Sequence, residues 1–289
     1  MDENRPGYYG RPIVKPPVWT PLIPVYFWAG GWSGASATLA LSARCLKRDR
    51  AARSLTLAAA VGTAISGFCL IADLKKPERF LHMFRVLKPS SPMSIGVYLF
   101  TIFGAASTAA AASEITGIAR PFGRFAETIA GVTGPMMSVY TSVLIGDTVM
   151  PAWHRAGTAL PVLFAATSAS TAGGLGMCTI PAADAKPARR LAFLGALGVP
   201  IALERLRHQL GPVQFEAYER GKAGQLSHLA RLCNLTGLLC TLFAKRNERI
   251  ARFAGVMLLA AGLAERFAVY HAGKISAEDP AFTIAAESP

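Results

Sequence analysis

The stretch from Pro16 to Ala43, PPVWTPLIPVYFWAGGWSGASATLALSA, contains no Asp, Glu, Lys or Arg. Two others match it, Pro89 to Ser113 and Ala156 to Ala183. A helix crosses a bilayer with about 20 apolar residues, and a soluble core helix rarely needs more than about 14. All three runs are long enough to cross. Composition agrees: of 289 residues, 52% are hydrophobic and 16% charged, against roughly 25% charged in soluble domains. Mean hydropathy is +0.35. A disordered chain, a disulfide scaffold, a coiled coil and a water-soluble enzyme are excluded for most of the length. The expected class is an all-α, multi-pass integral membrane protein.

Five spans are read directly, at about 22–43, 55–72, 93–112, 128–146 and 157–181. Three more are shorter or interrupted. Residues 191–203 give 13 uncharged positions before Glu204, 223–244 contain His228 and Arg231, and 253–264 give 12 between Arg252 and Glu265. Each spans only if a flanking charge snorkels or faces protein. The count is therefore eight transmembrane helices with both termini on one side. The division is an extended arm at 1–21, a membrane domain at 22–270 with an interfacial helix at about 77–88, and a tail at 271–289. The first residues lack the basic n-region of a cleavable signal, so segment one is expected to act as its own insertion signal. Gly30 and Gly34, and the Ala/Ser run 107–113, predict close helix approach. Pro135, Pro161 and Pro200 predict kinks.

Under this count Lys and Arg divide almost evenly between the two sides. The denser short loops, 44–53 and 245–252, favour termini outside the cytoplasm. The net charge of +13 then reflects basic loops against anionic lipid head groups. No soluble basic domain exists for nucleic acid to bind, so none is expected.

The five cysteines, Cys45, Cys69, Cys178, Cys233 and Cys240, include no C-x-x-C pair, so neither an iron–sulfur cluster nor a zinc site is expected. A membrane haem needs two imidazoles at matched depth. Of His82, His154, His208, His228 and His271, His228 alone sits deep in a segment, so no haem is expected. Any redox chemistry must draw electrons from a partner. Gly173-Gly174-Leu-Gly176 is no phosphate loop, because no Lys-Ser/Thr follows it.

Four segments invite function. The Pro-rich arm Tyr8 to Trp19 is extended, and fits either a partner protein or a membrane tether anchored by Trp19. In 73–88, Pro77 opens a short helix. Arg79, His82 and Arg85 recur every third residue opposite Phe80, Phe84 and Leu87, as in an interfacial helix that binds lipid or docks a subunit. Asp73 there can pair with Lys75, Lys76 or Arg79. Tyr140 lies inside segment four, where a buried phenol needs either a neighbouring helix or a ligand carbonyl as partner. Glu204, Arg231, Glu265 and Arg266 are ionisable at membrane depth. They read as ion pairs, with Glu204 facing Arg207 or His208, or as a proton route.

Taken together, these residues resemble the polysulfide reductase membrane subunit family, the NrfD-like proteins. The resemblance rests on Tyr9-Gly-Arg-Pro12, Phe27 to Ala35, Asp73-Leu74 with Pro77-Glu-Arg-Phe80, Lys88-Pro-Ser-Ser-Pro-Met-Ser94, Tyr140-Thr141 with Pro151-Ala-Trp-His154, and Ala272 to Pro280. The arm and tail look most like the variant found with actinobacterial formate-dehydrogenase-like operons. The resemblance implies two four-helix bundles without haem or cluster, in the bacterial cytoplasmic membrane. It implies a quinone, menaquinone or ubiquinone, bound near a docked four-cluster ferredoxin-like iron–sulfur subunit that in turn holds a molybdopterin catalytic subunit. The chain would be a quinone-reactive anchor with no activity alone. Tyr140 falls where the family places a quinone-contacting tyrosine, and Asp73 at its acidic position, a proton acceptor. Arg79 would hold Asp73 ionised or meet the docked subunit, with His82 and His154 as further contacts. The family's first-helix polar ligands have no counterpart here. Tyr26, Trp28 and Ser33 occupy that region, leaving Trp28 as the aromatic contact. Rival readings are a secondary transporter built on Glu204, Arg231 and Glu265, and a purely structural anchor without quinone.

Overall fold

A computed structural model describes residues 13–74, 76–85, 88–245 and 247–287. Among them every element is helical. Ten α-helices follow in order: α1 Leu22–Cys45, α2 Asp49–Ala72, α3 Pro92–Thr116, α4 Arg120–Gly146, α5 Pro151–His154, α6 Ala159–Thr179, α7 Lys186–Phe215, α8 Gly221–Phe243, α9 Glu248–Glu278 and α10 Pro280–Glu287. Pro77–Arg85 and Glu216–Tyr218 are 3-10 turns. Lengths at 1.5 Å per residue give α2 about 36 Å. Six helices are long and apolar enough to cross a membrane: α2, α3, α4, α6, α8 and α9.

The two other long helices, α1 and α7, fall short of that measure for different reasons. α1 packs against α2, α4, α6 and α9, and Gly30, Gly31, Ser33, Gly34 and Ser36 along it are buried. It is the hub of the fold. Small residues let four helices approach, and the same residues dilute its hydropathy. α7 carries Lys186, Arg189 and Arg190 at one end and Glu204 to His208 towards the other, and Gly211, at φ 70°, breaks it before Pro212.

Packing falls into neighbourhoods joined at α1, α4, α6 and α9. α1 packs on α2 and α4, and α3 on α4; α6 packs on α7 and α9, and α8 on α9. One crossing within each neighbourhood, α1 on α4 and α6 on α9, uses the same device. A Cβ on Gly34 would stand 2.4 Å from the Gly134 carbonyl oxygen, and one on Gly255 2.4 Å from that of Gly174. Only glycine permits these approaches, as small residues do at lipid-embedded crossings. Gly34→Leu should therefore push α1 from α4 and lower stability by about 1–3 kcal/mol, the usual cost of overpacking. Thermal unfolding in detergent reads the change.

The ends of α1 to α4 away from the chain's start are pinned by a charged node. Arg44 donates through Nε and Nη2 to the Glu127 carboxylate (3.0 and 3.1 Å), through Nη1 to Asp49 (2.8 Å), and through Nη2 to Glu114. Thr56 Oγ1 adds a bond of 2.9 Å to Glu127. Glu127 is buried, so its charge must be paired. Removing one partner from such a group typically costs about 3–5 kcal/mol.

The awkward charges separate. Glu204 pairs with His208 at 3.2 Å on the outer surface. Arg266 is buried at the join, donating to the Phe164 carbonyl (3.2 Å) and Ser168 Oγ (3.1 Å) and lying 3.5 Å over the Phe164 ring. Its Nε and Nη1 have no partner among the described residues. Glu265 is also buried, within the field of Arg266 and Arg231.

Candidate functional site

At the end of the fold where α1 and α3 begin and α2 and α4 finish, the helices enclose a cavity of about 180 Å³. Its wall is chiefly apolar, with Ile23, Tyr26, Phe27, Leu70, Phe100 and Leu144 among its lining. Two polar side chains called from the sequence reach it from different helices: Asp73 from just after α2, and Tyr140 from the last two turns of α4.

Tyr140 owes its position to a glycine. A Cβ at Gly96 would lie 1.7 Å from the Tyr140 ring carbon Cζ and the hydroxyl oxygen, so the phenol rests flat against the bare backbone of α3. Its hydroxyl has no hydrogen-bond partner among the described residues, although the ring is half-buried. A phenol in apolar surroundings is normally bonded. This one is held in place by packing, with its donor unused.

Asp73 is held by the segment leading into α1. The Thr20 backbone N–H and hydroxyl both donate to Asp73 Oδ1, at 2.9 and 2.5 Å. The described bonds all fall on Oδ1, so Oδ2 keeps its lone pairs for other partners. Lys75 and the side chain of Arg79 lie outside the described residues. Trp19, one residue back, stacks on Trp153 with ring centroids 5.6 Å apart and planes 13° from parallel, and meets Phe27 edge-on at 6.4 Å. Its carbonyl accepts from the Tyr270 hydroxyl. Trp19 is thus packed into the protein. Arm residues 1–12 lie outside the described residues.

The other residues singled out from the sequence stand elsewhere. Trp28, on the opposite side of α1 from Tyr26, packs against Trp32 (5.9 Å) and towards Gly262 of α9, and its Nε1 has no partner among the described residues. His154 is exposed, with Nδ1 3.1 Å from the Gly146 carbonyl at the end of α4. His82 is exposed on the 3-10 turn. That turn covers Pro77–Arg85, within the interfacial helix expected at about 77–88; residues 86 and 87 lie outside the described residues. The three-residue recurrence of Arg79, His82 and Arg85 matches the 3-10 period of three. Phe80 and Phe84 pack edge to face (5.7 Å), and Phe84 meets Tyr98 of α3 (6.3 Å), so the turn roofs the cavity with Phe80.

Sequence reasoning missed Thr20, Gly96 and Phe100. Thr20 was legible as a polar residue just ahead of α1, and Gly96 as an isolated glycine one turn into α3. What neither announces is its partner, 53 and 44 positions away.

Chemically, the site offers the Tyr140 phenol, the neighbouring Tyr26 phenol and one carboxylate oxygen to a flat apolar guest. No metal-binding group of three or more His, Cys, Asp or Glu occurs among the described residues. Comparison with known proteins gives one family: its model, described as "Polysulphide reductase, NrfD", matches residues 13–210, which include the whole site. A search of curated proteins returned no match.

Proposed function

This chain belongs to the polysulphide reductase NrfD family, and we propose that it serves as the quinone-reactive membrane subunit of a molybdopterin/iron–sulfur oxidoreductase. The observation that carries the reading is the meeting of Asp73 and Tyr140 at one apolar cavity. A cavity of roughly 150 Å³ accepts a benzene ring. About 180 Å³ therefore suits the ring of menaquinone or ubiquinone, with the isoprenoid tail left to the bilayer.

A bound quinone supplies a two-electron, two-proton couple. The chain's residues bind it and manage the protons. Tyr140 Oη, without a protein partner, donates to a ring carbonyl and fixes its orientation. Phe100, Tyr26 and Leu70 exclude water from the ring. Asp73, steered by Thr20 through Oδ1, serves as the proton acceptor where α2 ends, within reach of solvent. His82, exposed on the roofing turn, faces the docked iron–sulfur subunit, and Arg79 belongs to the same turn. That subunit, ferredoxin-like with four clusters, relays electrons to or from the molybdopterin subunit. In this reading all eight long helices span the bacterial cytoplasmic membrane as two four-helix bundles, with the termini outside the cytoplasm.

The test is purification of the assembled complex followed by Asp73→Asn. Asparagine keeps the Oδ1 acceptor for Thr20 and removes the carboxylate that would take up a proton. Iron–sulfur and molybdopterin subunits and an isoprenoid quinone should co-purify. Asp73→Asn should lower quinone-linked turnover about a hundredfold, at the low end of what a positioned acid or base contributes. A complex without quinone, or one whose turnover ignores the substitution, ends the reading; a chain that purifies alone points to a transporter.

A further inference from the structure

The outer face of α7 and α8 carries charges where a lipid-facing surface has none. α7 offers 13 uncharged residues between Arg190 and Glu204, and α8 offers 13 between Arg231 and Lys245. At 1.5 Å per residue that is about 20 Å, against a hydrocarbon core of about 30 Å. Both runs begin at the end where α7 starts and α8 stops, so the shortfall falls at the other end. There Glu204, Arg207, His208, His228 and Arg231 are all exposed.

At that level the two helices part around a groove of about 350 Å³. Its inner half is aliphatic, with Val199, Leu203, Leu235 and Leu238. Its outer half holds Arg207 and Arg231 with Glu204 and Glu219. Arg207 lies 5.8 Å over the Phe215 ring, and among the described residues neither arginine has an ion-pair partner within 4 Å. Asn234 lies between the halves. Its Nδ2 donates to the Ala196 carbonyl (2.9 Å), while its Oδ1, on a residue 6% exposed, has no partner.

We propose that this groove is a binding site for a zwitterionic phospholipid of the phosphatidylethanolamine class. The phosphate sits between Arg207 and Arg231, the ammonium reaches Glu204, Glu219 and the Asn234 carbonyl oxygen, and an acyl chain follows Val199 to Leu238. Two guanidinium groups require an anion, which excludes a neutral quinone ring. Two carboxylates beside them favour a head group carrying both signs over a purely anionic one. The aliphatic lining runs only from Val199 to Leu203 and from Leu235 to Leu238, about one helical turn on each helix and too short for a partner's spanning helix. A lipid drawn inwards here also relieves the mismatch between 20 Å helices and a 30 Å core.

The experiment places the protein in phosphatidylcholine nanodiscs doped with phosphatidylethanolamine bearing a photoactivatable acyl chain, and maps the cross-links by mass spectrometry. Cross-links should concentrate on 199–203 and 235–238, and Arg207→Leu with Arg231→Leu should lower their yield about tenfold. Arg249→Leu, in the distant first turn of α9, should leave them unchanged. Unlabelled phosphatidylethanolamine should compete in the unaltered protein, which keeps the test open if the double variant fails to fold. Cross-links spread evenly over the lipid-facing helices, a yield indifferent to the double substitution, or equal competition by phosphatidylglycerol or a quinone would each overturn the proposal.

Discussion

Tyr140→Phe should lower quinone-linked turnover of the assembled complex about a hundredfold while leaving its thermal stability within about 0.5 kcal/mol of the unaltered protein. The two halves of that expectation have one cause. The Tyr140 hydroxyl bonds to nothing in the described protein, so deleting it breaks no structural contact. Its ring is held by Gly96, and phenylalanine keeps the ring. A hydroxyl whose sole partner is a bound carbonyl acts where charge gathers on that oxygen, and losing one such donor typically costs 10²–10³ in rate. Reduction of an artificial dye that takes electrons from the iron–sulfur relay should be unaffected. The informative outcome is therefore a split: quinone-linked turnover falls and dye-linked turnover stands. Equal loss of both would mean that the substitution disturbs assembly. Loss of stability would mean that the phenol bridges helices.

The fold class was legible because it follows from one quantity, the length of uncharged runs, which a single sequence displays directly. Counting spans was harder, for reasons visible in α1 and α7. α1 is buried among four other helices, so it needs small residues more than greasy ones, and its apolar score falls although it is among the most enclosed helices. α7 carries charges within its own length because the groove beside α8 accommodates them. The site was half legible. Asp73 and Tyr140 stand out as polar residues in apolar company, and both reach the cavity. Trp28 and His154 stand out for the same reason, yet one faces α9 and the other caps α4, because prominence in a sequence carries no direction. The Arg44 node went unread. Arg44, Glu114 and Glu127 each look like ordinary helix-end charges, and only the folded chain shows one guanidinium gathering three carboxylates.

Trp153→Ala should be among the most damaging single substitutions for the fold, costing about 3–5 kcal/mol, as large aromatic truncations in closed cores do. The indole is fully buried. Its Nε1 donates to the Val269 carbonyl at 2.7 Å, one face stacks on Trp19, and its edge fills the space left by Gly273, where a Cβ would come within 2.0 Å of Cε2. No neighbour is free to collapse into the gap. Trp153→Phe separates the contributions. It keeps an aromatic surface for Trp19 and loses one hydrogen bond, for about 1 kcal/mol. Unfolding can be followed through Cys69, which is buried and unpaired and becomes reactive towards a thiol dye when α2 loosens. The consequence reaches the cavity along the chain. Trp19 sits on Trp153, Thr20 follows Trp19, and Thr20 orients Asp73. Trp153→Ala should therefore depress quinone-linked turnover even below the unfolding temperature, while Trp153→Phe preserves it. If both variants unfold with the unaltered protein, the stack holds nothing, and the orientation of Asp73 must come from α2 alone.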